Sequence, residues 1–184
     1  MPACRSASTS ACTIGGEIFD DPAGLGVKTV FARNSASYFL ENTRCIGELT
    51  LGGVCHRFPR LRFVSVESGA GWIPFVLEAL DWQWTNGGAY REHPDYALLP
   101  SEYFRRQIYG CFWFEEKGLA AALELFPDNL LYETDFPHPT SMAPGPQSAA
   151  SPPRQYAERT WRRSPEATAR KVLHDNAAAL YGLE

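Results

Sequence analysis

The stretch "LRFVSVESGAGWIPFVLEAL", residues 61–80, contains the pattern that decides the fold. Its first six residues are rich in β-branched and aromatic side chains, which favours a β-strand. Glu67 follows, then a glycine-containing loop, and then an apolar segment with helical spacing that reaches Trp84. Pro74 falls in the first turn of that segment, where a helix tolerates proline. The stretch therefore predicts a strand, a short loop that carries an acid, and a helix.

Two further strands are predicted downstream in the same context. "IYGCFWF" at residues 108–114 precedes "EEKGLAAALELF", a predicted amphipathic helix with two acids in its first turn. "NLLYETD" at residues 129–135 is the third predicted strand, and helical patterns stand before and after it. Such alternation with short connections predicts parallel strands joined by right-handed crossovers. Either an open doubly wound α/β sheet or part of a (β/α)8 barrel fits this order.

The chain divides at about residue 35 into two segments of different pattern. Residues 1–35 are rich in Ser, Thr, Ala and Gly and have little apolar periodicity, so we expect an irregular N-terminal segment. A short strand and turn at "ACTIGGEIF", residues 11–19, is the exception. Residues 36–184 carry the alternating helices and strands and are predicted to form one α/β unit.

The composition excludes several classes of protein. The chain has 184 residues, of which 45% are hydrophobic, and this indicates a globular protein with a sizeable core. The net charge is −4 and the Lys and Arg residues are scattered, so the sequence shows no basic patch of the kind that binds nucleic acid. No apolar run approaches the roughly 20 residues that span a bilayer, and no signal-peptide pattern is present. The five cysteines include no C-x-x-C pair, so we expect reduced thiols and a cytoplasmic location.

Glu67 and Asp135 stand at the ends of the first and third predicted strands. In parallel α/β folds the carboxyl ends of the strands form the functional face, where carboxylates hold a divalent cation or exchange protons. The structural alternative is that Asp135 caps a turn and Glu67 pairs with an arginine. Spacing alone leaves both interpretations open. His138, three residues after Asp135, is by itself typical of a hydrogen-bonded surface histidine.

Several common catalytic motifs are absent from the chain. It contains no H-x-H or H-x-x-x-H pair, no G-x-G-x-x-G and no G-x-S-x-G. A dinucleotide-binding fold and a serine-hydrolase elbow therefore have no support. Six aromatic residues are expected to pack the core, namely Trp72, Trp82, Trp84, Trp113, Phe112 and Phe114.

Four long stretches carry a more specific signal. They are "LGGVCHRFPRLRFVSVESGAGWIPFVLEALD", "PSEYFRRQIYGCFWFEE", "NLLYETDFPHPTS" and "KVLHDNAAALYGL". Together, over about residues 37–184, they resemble the amidohydrolase-related family, in the branch of aminocarboxymuconate-semialdehyde decarboxylase and aromatic-acid decarboxylases. The resemblance implies the C-terminal part of a metal-dependent (β/α)8 barrel, from strand five or six to strand eight. Members of this family are hydrolases and decarboxylases that commonly use zinc or a similar divalent ion.

The resemblance also implies roles for individual residues. Asp135 takes the position of the strand-eight aspartate, a metal ligand that can also handle a proton. Glu67 stands where many members carry a metal-site histidine, and His138 belongs to a "DFPH" motif near the pocket. Thr13, in "CTIGG", stands where the family often has "HIG", with its histidine, at strand five. We therefore expect Asp135 and His138 as catalytic residues, and Asp135 and Glu67 as metal ligands.

The chain also departs from the family pattern. The N-terminal H-x-H ligand pair is absent, and a complete barrel of this kind needs roughly 250 residues. The chain is therefore expected to be a fragment, a degenerate relative, or a subunit whose open strand edge is covered by another copy or a partner. The expected activity is metal-dependent hydrolysis or decarboxylation of a small organic acid or carbonyl compound, impaired by the missing ligands. The alternatives are a non-catalytic interaction subunit and an open doubly wound α/β domain that binds a small ligand.

Overall fold

The computed structural model describes residues 5–8, 24–138, 141–142, 150–162 and 164–183, and for residues 5–8 it describes the backbone. Thr13 and the strand predicted at residues 11–19 lie outside the described residues. In the described part, no helix is long and apolar enough to cross a membrane.

Four parallel strands form one sheet in the described part of the chain, in the order β1–β2–β3–β4. They are β1 (Arg5–Ser8), β2 (Arg62–Ser65), β3 (Ile108–Phe112) and β4 (Leu130–Tyr132). Ser65 pairs with Gly110, and Gly110 pairs with Leu130 on its other side, so the carboxyl ends of β2, β3 and β4 meet at one edge. The parallel α/β arrangement predicted from the alternation of strands and helices is confirmed.

Helices connect and flank the strands. They are α1 (Val27–Ser35), α2 (Tyr38–Leu51), α3 (Val54–Arg57), α4 (Ile73–Asn86), α5 (Pro100–Gln107), α6 (Ala120–Leu125), α7 (Pro153–Trp161), α8 (Glu166–Arg170) and α9 (Asn176–Tyr181). Short 3-10 turns occupy Ala89–Arg91 and Pro127–Asn129, and a π-helical turn, Lys171–Asp175, joins α8 to α9. Strand β1 and helix α1 lie in the segment for which we expected irregular structure, and the boundary at residue 35 stays a prediction.

The two faces of the sheet pack against different neighbours, as the two-residue period of a strand requires. Ile108, Phe112 and Leu130 belong to the main core, together with buried residues of α4, α5 and α6. On the alternate positions, Val64, Cys111 and Leu131 form a second cluster, and residues of α9 pack against it. Gly110 allows close packing on the first face, because a Cβ there would lie 2.4 Å from Cδ1 of Ile73.

Three local expectations from the sequence are wrong. Trp82 and Phe114 are 58% and 62% exposed, whereas Trp84 and Phe112 are buried. Residues two positions apart on a helix lie on nearly opposite sides, so α4 buries Trp84 and presents Trp82 to solvent. Phe114 lies beyond the end of β3, where the sheet no longer covers it. Helix α6 begins at Ala120, so the two acids of the "EEKG" segment precede the helix and do not lie in its first turn.

Candidate active site

Glu67 and Asp135 share an unusual backbone conformation at the carboxyl edge of the sheet. Their φ angles are +56° and +57°, in the left-handed region that residues with a Cβ rarely adopt. They are the non-glycine residues with positive φ in the described part of the chain. Strained residues of this kind persist where their surroundings fix them, and they concentrate at functional sites. The two acids singled out from the sequence therefore have a feature that ordinary surface acids lack.

The structure brings three of the predicted site residues into one pocket of about 310 Å³. Glu67, Asp135 and His138 line it from the loops that follow β2 and β4. The other lining residues come from the junction of α1 with α2 and from the end of β3; they are Ser35, Ala36, Tyr38, Trp113 and Phe114. Acidic and aromatic side chains therefore share one concave surface at the carboxyl ends of parallel strands, which is the usual location of sites in such folds.

Asp135 and His138 form a local pair. Nδ1 of His138 lies 3.2 Å from Oδ2 of Asp135, and the backbone N–H of His138 donates to the carbonyl of Asp135 at 2.8 Å. The side chain of Asp135 is 7% exposed, whereas that of His138 is 45% exposed. The arrangement joins a buried carboxylate to an imidazole that reaches solvent, which suits proton exchange.

Glu133 is a third carboxylate beside this pocket. Its Oε1 accepts the backbone N–H of Glu67 at 3.0 Å, and its side chain also interacts with the thiol of Cys111. Burial raises the pKa of Glu133 to about 7, and the negative charges of Asp135 and Glu67 add to the effect. Burial, together with the charge of Glu133, also raises the pKa of Cys111, which keeps the thiol protonated.

Sequence reasoning did not identify several residues of the pocket. Trp113 was assigned to the core, although it is half-buried and lines the pocket beside Phe114. Its position carries the relevant signal, because Trp113 directly follows the carboxyl end of β3, where sites of parallel sheets collect. No sequence pattern indicated that Ser35, Ala36 and Tyr38 would line the pocket, since their position beside Asp135 depends on how α2 packs.

The fold and the pocket together define a class: a parallel α/β protein with carboxylates grouped at the carboxyl edge of its sheet. The model of one protein family, described as Amidohydrolase, matches residues 35–183. The chain therefore belongs to the amidohydrolase family, as its resemblance indicated. Comparison with curated proteins gave no match.

Solved structures with a similar fold include several decarboxylases. The 5-carboxyvanillate decarboxylase of Sphingomonas paucimobilis is 27% identical with a TM-score of 0.59, and the match covers 82% of this chain and 41% of that one. The IDCase of Metarhizium anisopliae is 21% identical with a TM-score of 0.67, covering 91% and 45%. A dihydroxybenzoic acid decarboxylase of a Polaromonas species, with bound manganese and the inhibitor 2-nitroresorcinol, is 22% identical with a TM-score of 0.57, covering 79% and 41%.

The chain spans less than half the length of these three solved structures. This coverage and the four-stranded parallel sheet support a partial barrel. The assignment of the strands to positions five or six to eight stays a prediction.

The described residues do not by themselves fit a catalytic metal. Within residues 24–138, 141–142, 150–162 and 164–183, no group of three His, Cys, Asp or Glu side chains is placed to hold an ion. Catalytic zinc sites have three protein ligands, and divalent ions that prefer oxygen need several oxygen donors. Glu67 and Asp135 alone are fewer donors than either kind of site requires.

Proposed function

We propose that this chain supplies part of the active site of a divalent-metal-dependent decarboxylase or hydrolase that acts on a small organic acid or carbonyl compound. One observation carries the proposal: Glu67, Asp135 and His138 line the same pocket at the carboxyl ends of parallel strands. Family membership over residues 35–183 supports the same class of reaction.

Asp135 and His138 are the proposed proton-handling residues. A decarboxylase must deliver a proton to the carbon that loses CO2, and a hydrolase must remove one from the attacking water. A buried carboxylate beside a solvent-accessible imidazole can hold such a proton and exchange it with water. Glu67 is proposed as a second carboxylate that faces the substrate or a cation. Because the described donors are too few for a metal site, we expect this chain alone to bind metal weakly and to turn over slowly.

Hydroxylated aromatic acids are the proposed substrate class. Tyr38, Trp113 and Phe114 give the pocket an aromatic wall, against which a planar ring can stack. The similar decarboxylase of Sphingomonas paucimobilis acts, by its name, on 5-carboxyvanillate. That compound is therefore the first substrate to test.

The test compares the chain with Asp135→Asn, and with Asp128→Asn as a matched control. Asp128 is an exposed acid paired with Lys171, away from the pocket. Each protein is dialysed against Zn²⁺ or Mn²⁺, its metal content is measured by elemental analysis, and CO2 release from 5-carboxyvanillate is followed. We expect substoichiometric metal and slow CO2 release in the parent and in Asp128→Asn, and a loss of both in Asp135→Asn.

Two outcomes would change the proposal in different ways. Equal metal content and equal CO2 release in the parent and in Asp135→Asn would remove Asp135 from the site. Stoichiometric metal with fast, saturable turnover that depends on Asp135 would leave the site assignment intact and contradict the expected impairment.

A second candidate function is that of a non-catalytic interaction subunit. The observation that favours it is the exposure of large aromatic residues beside the pocket, with Phe114 62% and Phe136 73% exposed. Size-exclusion chromatography with light scattering tests this function. A defined oligomer or heteromer, broken by Phe136→Asp, is the expected result for an interaction subunit, whereas a monodisperse monomer argues against it.

A further inference from the structure

The loop that follows β2, residues 66–72, is tied to other elements through its backbone. The carbonyl of Val66 accepts Nδ2 of Asn42, a buried residue of α2, at 3.0 Å. The N–H of Glu67 donates to Glu133, which follows β4. The loop that carries Glu67 into the pocket is therefore held from two sides at its beginning.

The far end of this loop is held by Glu115. The N–H groups of Ala70 and Gly71 both donate to its Oε1, at 2.9 and 2.7 Å. Glu115 lies between β3 and α6, so these two bonds join the loop after β2 to the loop after β3. Hydrogen bonds to a carboxylate are roughly twice as strong as those between neutral groups. Trp72 closes the same loop, since its Nε1–H donates to the carbonyl of Gly69 at 2.8 Å.

Glycine is required where the loop meets this carboxyl group. Gly69 has φ +71°, and a Cβ built on it would lie 2.9 Å from Cδ of Glu115. A Cβ on Gly71 would lie 2.8 Å from the carbonyl oxygen of Gly118. The backbones of the two loops therefore come close at Gly71 and Gly118, and neither Gly69 nor Gly71 has space for a side chain of its own.

Glu115 is itself anchored, and part of it is left unsatisfied. The hydroxyl of Tyr156, a residue of α7 that is 1% exposed, donates to the backbone carbonyl of Glu115. Oε2 of Glu115 is buried and has no hydrogen-bond partner among the described residues. Burial raises the pKa of Glu115 above its usual value, although the bonds from Gly71 and Ala70 oppose part of this rise. A buried polar atom without a partner is costly to the folded chain.

We propose that Glu115 is a positioning residue of the candidate site: by holding Ala70 and Gly71, it keeps the loop after β2 in the conformation that places Glu67 in the pocket. The left-handed conformation of Glu67 is unfavourable by itself and needs such external fixing. This inference rests on the proposed function only because Glu67 is assigned to the site there. The two hydrogen bonds from Ala70 and Gly71 to Glu115, called the latch below, are a property of the free chain.

Amide hydrogen exchange followed by NMR on the ¹⁵N-labelled chain tests the latch without any substrate or metal. The variants are Glu115→Ala and Glu115→Gln, with Glu116→Ala as the matched control, since Glu116 is exposed and pairs with Arg159. In Glu115→Ala we expect the amides of Ala70 and Gly71 to exchange about tenfold faster or more, because they lose their acceptor. We expect the same for the amide of Glu67, because its bond to Glu133 opens more often once the far end of the loop is released. Glu115→Gln keeps an acceptor oxygen, so it should restore most of the protection at Glu67.

The amide of Glu67 distinguishes a positioning role from a merely local one, because it bonds to Glu133 and not to Glu115. If Glu115→Ala accelerates exchange only at Ala70 and Gly71, or if Glu115→Gln behaves like Glu115→Ala, the proposal is wrong. If Glu115→Ala does not fold, Glu115→Asp, whose side chain is one methylene shorter, is read in the same way. The experiment does not measure turnover. A negative result would therefore refute the positioning role of Glu115 without bearing on the proposed function.

Discussion

Glu133→Gln is the most direct test of the electrostatics of the pocket. Burial, then the charges of Asp135 and Glu67, raise the pKa of Glu133 from 4.5 to about 7. One pKa unit corresponds to about 1.4 kcal/mol, so a shift of this size amounts to about 3 kcal/mol of stability. Glutamine keeps the shape and the oxygen that accepts the N–H of Glu67, but it carries no charge.

The sign of the effect follows from where the proton is bound. Below pH 4.5 the carboxyl group of Glu133 is protonated in both the folded and the unfolded chain, so its ionisation does not lower the free energy of unfolding. Between pH 4.5 and about 7 only the unfolded chain ionises, so the free energy of unfolding falls as the pH rises. Above about pH 7 the folded chain carries the buried charge in full. Glu133→Gln should therefore match the parent at pH 4.5 and be more stable by about 3 kcal/mol at pH 8.

Urea unfolding followed by circular dichroism, in EDTA, measures this difference at each pH. Glu116→Gln serves as the control, because Glu116 is exposed and its loss should produce no comparable trend. A difference between Glu133→Gln and the parent that is constant from pH 4.5 to 8 would refute the reasoning. So would a glutamine variant that is less stable than the parent at pH 8.

Two further predictions concern the packing that supports the site. Asn129 is 3% exposed, and its Nδ2 donates to three backbone carbonyls around the junction of α5 with β3. Asn129→Ala should lower the free energy of unfolding by about 2–3 kcal/mol, whereas Asn86→Ala, which removes an exposed bond within α4, should change it by less than about 0.5 kcal/mol. Trp84→Ala should cost about 3–5 kcal/mol and Trp82→Ala less than about 1 kcal/mol, because the first side chain is buried and the second is exposed. Equal losses for the two tryptophan variants in urea unfolding would contradict the packing of α4.

The sequence was most informative where periodicity is strong. The β2 and α4 unit, and the parallel order of the strands, follow from period-two and period-3.6 patterns that each chain segment carries by itself. The exposed side of α4 was not predictable in the same way, since the helix has apolar residues on more than its buried face. Trp82 is therefore apolar in sequence and exposed in the structure.

The candidate site was predictable only in part, because its parts come from different loops. The position of an acid after each strand identified Glu67 and Asp135, and both line the pocket. The roles of Glu115 and Glu133 depend on bonds to residues 44 to 66 positions away, which no local pattern encodes. For the same reason, positive φ at a glutamate such as Glu67 is not expected from propensity, since tertiary contacts impose it.

The bonds around the loop after β2 also indicate which part of the pocket can respond to a ligand. Residues 66–72 have backbone groups bonded to Asn42, Glu115 and Glu133, and a segment with several partly buried bonds to distant side chains opens rarely. Another wall, residues 35–38 at the junction of α1 with α2, is held by local bonds, since the N–H groups of Ala36 and Ser37 donate to carbonyls within α1. Among the described residues, its backbone has no bond to a side chain of a distant element, and the Oγ of Ser35 is buried there without a hydrogen-bond partner. We therefore expect binding of a small aromatic acid to slow amide exchange mainly at residues 35–38, while residues 66–72 stay protected throughout. Hydrogen exchange with and without 5-carboxyvanillate measures both segments, and protection gained chiefly at residues 66–72 would mean that the latch is not preformed.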